Sequence, residues 1–244
     1  MEGYEPATYG DRIADAYDRL YGTAFDVEAT VAMLRELAAG GRVLELAIGT
    51  GRIALPLAEA GVEVHGIDAS EAMIAKLRNK SGGEKIPVTM GDFADVAVDE
   101  EFSVVYIVFN TIFALVTQAD QLRCFRNVAA HLTPGGVFVV EAFVPDTARF
   151  DRDQRVHVTE VGVDEVMIDA SIHSPENQTV RSQHVVLRED GIKLFPVYIR
   201  YAWPSELDLM AAAAGLRLRE RWAGWRRQPF SSSSGSHVSV YERT

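Results

Sequence analysis

The amino-acid sequence predicts an α/β fold with a seven-stranded, mostly parallel sheet, helices on both faces, an antiparallel last strand and a small antiparallel β insertion. Three observations lead to this prediction. Between residues 43 and 145, continuously apolar strand segments alternate with helical segments, as in a parallel sheet covered on both faces. Residues 156–203 alternate polar and apolar residues instead, which is typical of antiparallel strands. The chain then closes with two strand segments that no helix separates.

Two helices are predicted before the first strand, over residues 9–23 and 25–39. In the second helix, apolar residues recur at helical spacing, and Gly40 and Gly41 end it. The α/β part follows, with strands predicted at 42–47, 62–68, 86–90, 102–110 and 137–145, and helices at 51–61, 70–80 and 118–132. Ser70 is the expected N-cap of the second of these helices, and residues 133–136 are expected to form a turn.

The insertion is predicted to contain three or four antiparallel strands, separated by turn signals at residues 174–177 and 189–191. A helix with Ser205 as its expected N-cap and two closing strands, 217–225 and 236–243, complete the sheet. We therefore expect one domain over residues 1–244, with a β-rich insertion at 150–203. The insertion is expected to act as a lid over a substrate or as a contact in a homodimer.

Composition and charge argue against several classes of partner and ligand. The 244 residues carry a formal charge of −11, which argues against nucleic acid and anionic membranes as partners, because both need a basic surface. No signal peptide or apolar membrane span is visible, so we expect a cytoplasmic protein. The single cysteine, Cys124, is expected in the core. The six histidines lack metal-ligand spacing, so no metal is predicted.

Acidic residues mark three consecutive strands of the predicted sheet. The spacing Gly49-x-Gly51-x-x-Ala54 fits a dinucleotide fingerprint, but Glu45 before it would repel a pyrophosphate and suits a ligand with a positive charge. Asp68 ends the second strand, where a carboxylate can accept both ribose hydroxyls or cap the next helix. Asp92 and Phe93 follow the third strand, where they can contact an adenine ring. Together these residues favour a cationic adenosyl ligand.

Four segments in register resemble the class I S-adenosylmethionine-dependent methyltransferases, whose fold is Rossmann-like. "LELAIGTGR" resembles their first motif, with Ala47 in place of the first glycine, and "VHGIDASEAMIAKLR", "GDF" and "HLTPGGVFVVEAF" resemble later ones. The N-terminal "AYDRLYG" and the insertion are similar to the small-molecule branch, which includes amino-sugar and glycine-type N-methyltransferases. The resemblance implies S-adenosylmethionine as cofactor.

The resemblance also implies roles for individual residues. Glu45 would orient the first loop and reach the cofactor's ammonium, Asp68 would hold the ribose, and Tyr17 would close over the carboxylate. The full set expected at the cofactor is Tyr17, Glu45, Ala47, Gly49, Gly51, Asp68, Ala69, Met73, Asp92, Phe93 and Phe109. The acceptor pocket is expected to include Tyr21, Asn110, Phe113 and Phe143. No catalytic residue is predicted.

Three functional classes stay open on the sequence alone. The favoured one transfers a methyl group from S-adenosylmethionine to a nitrogen or oxygen of a small molecule by direct displacement. A second is an NAD(P)-dependent oxidoreductase, but the chain lacks the Tyr-x-x-x-Lys pair that such an enzyme would use as a proton donor. The third is a non-catalytic protein that binds S-adenosylmethionine.

Overall fold

The structure is a computed structural model that describes residues 1–22 and 25–243. Two helices come first, and strands separated mostly by helices follow up to residue 143. In chain order the elements are α1 (Thr8–Tyr21), α2 (Val27–Ala38), β1 (Val43–Leu46), α3 (Ala54–Glu59), β2 (Val64–Asp68), α4 (Glu71–Arg78), β3 (Val88–Met90), β4 (Phe102–Ile107), α5 (Gln118–His131), β5 (Leu132–Phe143), β6 (Gln154–Val161), β7 (Glu165–Ser174), β8 (Thr179–Arg188), β9 (Gly191–Arg200), α6 (Pro204–Ala213), β10 (Leu216–Trp222) and β11 (Ser236–Arg243). Residue 23, the predicted end of the first helix, lies outside the described residues.

Seven strands form one mixed sheet in the order β10-β11-β5-β4-β1-β2-β3. The last strand, β11, runs antiparallel to both of its neighbours, while β1 to β5 are parallel to one another. The predicted fold class is therefore confirmed. The chain order reverses at β1, which lies between β2 and β4, and ligands of open α/β sheets bind at the carboxyl ends of strands at such a switch point.

Local signals explain most of the helix boundaries. The Ser70 hydroxyl accepts a hydrogen bond from the Met73 amide at 3.1 Å, as expected of the N-cap of α4. The expected cap at Ser205 is wrong, because α6 already begins at Pro204, with Trp203 at the cap position. Proline suits the first helical position since its missing N–H would have no partner there.

The predicted turn at residues 133–136 lies inside β5 instead. Phe102 of β4 pairs with Leu132, but Val104 pairs with Val137, so β5 carries extra residues between these two pairs. Such a bulge lets a strand bend without leaving the sheet. Cys124 is fully buried, as expected.

The insertion forms a separate antiparallel sheet of four strands, β6-β7-β8-β9. This second sheet packs against α1 and α4 through a small apolar cluster that joins Val186 and Phe195 to Ile13 and Met73. Within residues 1–22 and 25–243, no helix is long and apolar enough to cross a membrane.

Candidate functional site

A cavity of about 650 Å³ lies between the two sheets, and residues of α1 also line it. One side, here called the sheet wall, comprises Ala47, Gly49, Asp68, Phe93, Phe109 and Asn110 at the strand ends of the seven-stranded sheet. The opposite side, here called the roof, comprises Arg155, His157, Asp169, Ser171, Ser182 and His184 of the four-stranded sheet. The cavity therefore has the position that the switch point of the fold predicts for a ligand site.

The loop after β1 turns sharply along the sheet wall. Ala47 has φ 55° and Gly49 has φ 56°, a left-handed conformation that suits glycine and is strained for alanine. The Gly49 amide donates a hydrogen bond to Oδ2 of Asp68 at 2.7 Å, which ties this loop to the end of β2. Strained backbone of this kind persists at functional sites where the surrounding structure enforces it.

Asp68 both holds the loop after β1 by a hydrogen bond and forms part of the sheet wall. Its Oδ1 accepts from the Ser70 amide at 2.8 Å, and its Oδ2 accepts from Gly49. Burial raises the pKa of Asp68, while the hydrogen bonds from Ser70 and Gly49 oppose that shift. Each carboxylate oxygen has a second lone pair, so Asp68 can accept further hydrogen bonds from a ligand.

A second strained segment lies at the end of β4. Phe109 and Asn110 have φ values of 59° and 62°, and both belong to the sheet wall. The Phe109 amide donates to Oε2 of Glu141 at 2.9 Å, and the Phe143 amide donates to Oδ1 of Asn110 at 2.6 Å. These two hydrogen bonds fix the strained residues to β5.

Most of the residues predicted at the site line the cavity. They are Tyr17, Tyr21, Ala47, Gly49, Asp68, Met73, Phe93, Phe109, Asn110 and Phe143. Five others do not line it, namely Glu45, Gly51, Ala69, Asp92 and Phe113. Ala69 follows Asp68 directly and its backbone amide donates a hydrogen bond to the Asp68 carboxyl group, and the other four residues also have contacts behind the wall.

Glu45 lies in the core beneath the first loop. Its side chain is 3% exposed and accepts a hydrogen bond from the Tyr106 hydroxyl at 2.9 Å. Burial raises the pKa of Glu45 to about 8, although Tyr106 and the nearby Arg52 both oppose the shift. A backbone hydrogen bond from Ala54 links the carboxyl group to the start of α3.

The other residues off the wall have packing roles. A side chain at Gly51 would come within 2.4 Å of the Leu77 side chain, so only glycine fits this position. Oδ1 of Asp92 accepts from the Ala94 amide at 2.9 Å, which shapes the turn that carries Phe93. Phe113 is fully buried, and its ring packs 4.8 Å from that of Phe143.

Arg52 is a polar residue of this region that the sequence reasoning missed. Its guanidinium lies 3.7 Å from the ring centre of Phe25 and 5.0 Å from that of Phe109. Its Nε and Nη1 atoms are buried and have no hydrogen-bond partner among the described residues. The sequence feature that could have identified Arg52 is its position, since it is a positively charged residue directly after Gly51. Unpartnered buried nitrogens of this kind indicate a place for an anionic group.

Helix α1 is attached to the sheet wall by polar contacts. The Thr50 hydroxyl donates to Oδ1 of Asp18 and the Ser70 hydroxyl donates to Oδ1 of Asp11, both at 2.6 Å. These contacts hold Tyr17 at the cavity, where burial raises its pKa to about 12 against the effect of the nearby Arg52 charge. The loop after β1 and the N-cap of α4 therefore both depend on α1.

The polar residues of the roof were not among the residues predicted from the sequence, where the histidines were considered only as possible metal ligands. His157, Asp169 and His184 lie opposite one another on β6, β7 and β8. The alternation of polar and apolar residues could have predicted these positions, because the polar residues of each strand are two apart and therefore share one face of the sheet. Within the described ranges, no three His, Cys, Asp or Glu side chains are grouped to hold a metal ion.

Known proteins resemble this chain over all or part of its length. Residues 43–136 match a family model described as a methyltransferase domain. The solved structure of the CcbJ methyltransferase from Streptomyces caelestis is 43% identical, with a TM-score of 0.93 over 99% of this chain and 100% of that one. The cypemycin N-terminal methyltransferase of a Streptomyces species is 29% identical over 98% of this chain and 99% of that protein. The dTDP-3-amino-3,6-dideoxy-alpha-D-glucopyranose N,N-dimethyltransferase of Streptomyces fradiae is 31% identical over 55% of this chain and 54% of that protein.

Proposed function

Because this chain belongs to the S-adenosylmethionine-dependent methyltransferases, we propose that the sheet wall binds this cofactor and that a small-molecule amine binds beneath the roof. The observation that carries the proposal is the clustering of left-handed backbone at the cavity. Ala47, Gly49, Phe109 and Asn110 all have positive φ and all line it. The oxidoreductase and the non-catalytic alternatives are not favoured.

Residues of the sheet wall and of the elements next to it fit the parts of S-adenosylmethionine. Asp68 offers acceptor lone pairs for the two ribose hydroxyls. Met73 and Phe93 supply apolar surface for the adenine ring. Arg52 does not line the cavity, but its guanidinium lies 5.7 Å from the ring centre of Tyr17, which does, so its charge would attract the carboxylate. Glu45 would act by holding the first loop, through its contact with Ala54.

When bound, S-adenosylmethionine supplies a methyl group on a positively charged sulfur, so the leaving group is already activated. The chain therefore has to align the acceptor and exclude water. Helix α1 closes one side of the cavity with Tyr17 and Tyr21, and the roof closes the other. Asn110 and Phe143, with Phe113 packed behind, would shape the acceptor's place between these elements.

Two similar proteins support an amine as the acceptor, because one is named as an N-terminal methyltransferase and the other as an N,N-dimethyltransferase of an amino sugar. Asp169 and Glu160 supply carboxylates that can pair with an ammonium group in this part of the cavity, beside the cations Arg149 and Arg155. The net charge of −11 further favours a small molecule over nucleic acid. A cytoplasmic location and a homodimer contact through the second sheet remain predictions.

The test combines binding with turnover. We expect S-adenosylhomocysteine to bind the wild-type protein in calorimetry and Asp68→Ala to bind it at least about tenfold more weakly, because hydrogen bonds to a charged acceptor contribute about 1.5–3 kcal/mol each. The exposed Asp99→Ala variant is the matched control and should bind as the wild type does. With S-adenosylmethionine, wild-type protein should methylate an amine in a panel of dTDP-3-amino-3,6-dideoxy-α-D-glucopyranose and peptides with a free α-amino group. A folded Asp68→Ala variant with unchanged affinity would reduce Asp68 to a structural tie, and methylation of neither amine class would contradict the proposed acceptor.

A further inference from the structure

Three ionisable side chains form a row across the roof of the cavity. His157 of β6 pairs with Asp169 of β7, and Asp169 pairs with His184 of β8. Directly opposed residues of adjacent strands point to the same face of a sheet. All three line the cavity, opposite the proposed cofactor site.

Within this row, His184 and Asp169 are directly coupled. Nδ1 of His184 is hydrogen-bonded to Oδ1 of Asp169, and the two side chains are 24% and 29% exposed. An ionised carboxylate can only accept, so this contact places the imidazole proton on Nδ1. Nε2 of His184 has no hydrogen-bond partner in the part of the chain that the structure describes. The lone pair of Nε2 is therefore available to a group inside the cavity.

We propose that His184 takes the proton from the amine that is to be methylated, and that Asp169 is a positioning residue that holds His184 in the required tautomer. The inference rests on the proposed function, since it requires an amine acceptor beneath the roof. It adds a proton acceptor to a site for which the sequence predicted no catalytic residue.

A protonated amine must lose a proton before it can be methylated, and His184 and Asp169 could remove that proton. An alkyl amine is largely protonated at neutral pH, and an ammonium nitrogen has no lone pair with which to attack a methyl group. In the proposed step an N–H bond of the ammonium breaks, its electron pair stays on the nitrogen, and the proton bonds to Nε2 of His184. The Asp169 carboxylate stabilises the resulting imidazolium and also attracts the cationic acceptor. The proton then leaves to solvent.

Other ionisable groups line the same cavity as the pair. They are Tyr4 before α1, Tyr9, Tyr17 and Tyr21 of α1, Asp68 of β2, Arg149 before β6, Arg155, His157 and Glu160 of β6, and Tyr198 of β9. Arg149 illustrates the coupling, because burial and the neighbouring Arg155 lower its pKa while Asp169 raises it. Since several groups contribute to any single pH profile, the test compares variants with the wild type at each pH.

The experiment measures kcat at saturating acceptor from pH 6.5 to 9.5 for wild type, His184→Gln and Asp169→Asn, with whichever amine of the panel the wild type methylates. At pH 7, His184→Gln should lose about 10²–10⁴-fold in kcat, the usual contribution of general acid–base catalysis. Its deficit should shrink about tenfold per pH unit as the acceptor loses its proton to solvent instead. Asp169→Asn should show a smaller deficit with the same pH trend. Both variants should bind S-adenosylhomocysteine within threefold of wild type in calorimetry.

Two control variants make the outcome decisive. His65→Gln, on β2 outside the cavity, should match the wild type at every pH. A loss below threefold in His184→Gln, a deficit that stays constant with pH, or a pH-dependent deficit in His157→Gln alone would overturn the inference. If His184→Gln does not fold, the trend in Asp169→Asn decides. Failure of the wild type to bind S-adenosylhomocysteine or to methylate any amine would instead refute the proposed function, and the inference with it.

Discussion

At the residue scale, the sheet wall and the residues packed behind it include groups held in unfavourable states. Ala47 occupies a left-handed conformation, Glu45 is buried as a carboxyl group, and two nitrogens of Arg52 have no partner among the described residues. Each of these states costs free energy in the isolated protein. Their concentration at one loop is what a ligand site requires, because a bound ligand can satisfy groups that the fold leaves unsatisfied.

Glu45 makes the stability of the protein depend on pH. Its pKa is about 8 in the native protein against an ordinary value of 4.5, so the unfolded chain loses this proton first and the native state holds more protons between those pH values. The free energy of unfolding should therefore fall as pH rises through that window, by up to about 1.4 kcal/mol per pH unit. Glu45→Gln should remove this slope. Urea unfolding at pH 5, 6, 7 and 8 measures it, and parallel curves for variant and wild type would contradict the prediction.

Arg52 should distinguish ligands by their amino-acid part. Arg52→Met keeps most of the side-chain volume but removes the charge, so we expect S-adenosylhomocysteine to bind at least about tenfold more weakly. Binding of 5′-methylthioadenosine, which lacks the carboxylate, should change less than threefold. Calorimetry with both ligands checks this prediction. Equal losses for the two ligands would mean that Arg52 only supports the loop.

At the scale of elements, α1 connects the two sides of the cavity. It reaches the sheet wall through the hydrogen bonds of Asp11 and Asp18, and it reaches the second sheet through the apolar cluster around Ile13. A helix that packs on the fold through a small apolar cluster and a few polar contacts opens locally more readily than the strands of the core. A ligand in the cavity should therefore act on α1 before it affects the rest of the fold.

Hydrogen exchange measures this coupling. We expect amides of α1 to exchange faster than those of β4 and β5 in the free protein, and saturating S-adenosylhomocysteine to slow α1 by at least about tenfold. The exposed loop at residues 231–235, which does not line the cavity, serves as the internal control. Equal slowing of α1 and this loop would show that α1 does not close over the ligand.

The same scale shows how far sequence reasoning reaches. Continuous apolar runs predicted the parallel strands, and period-2 segments predicted the second sheet, because each pattern reflects how many faces of a strand are buried. Motif spacing predicted where residues lie along the chain but not whether their side chains reach the cavity. Glu45 and Asp92 were therefore expected at the ligand, but neither of them lines the cavity. The pair of His184 and Asp169 depends on the register of β7 and β8, and a shift of one residue would send one of the two side chains to the opposite face.

At the scale of the whole molecule, a parallel sheet and an antiparallel sheet enclose one cavity with chemically different sides. The sheet wall has strained backbone and the buried carboxylate of Asp68, whereas the roof has partly exposed polar side chains on a regular sheet. This division supports separate places for cofactor and acceptor, with the reacting atoms between them. Residues 150–203 were predicted to form either a lid over the substrate or a dimer contact. Our proposal assigns them to the acceptor site, which agrees with the first of these two predictions.

The most direct test of this arrangement is a crystal structure of the protein with S-adenosylhomocysteine. We expect the ribose hydroxyls at the Asp68 carboxylate, the adenine ring beside Met73 and Phe93, and the sulfur atom facing the roof that carries His184. Binding of the ligand elsewhere, or with its sulfur turned away from the four-stranded sheet, would contradict the proposed division between cofactor and acceptor sites.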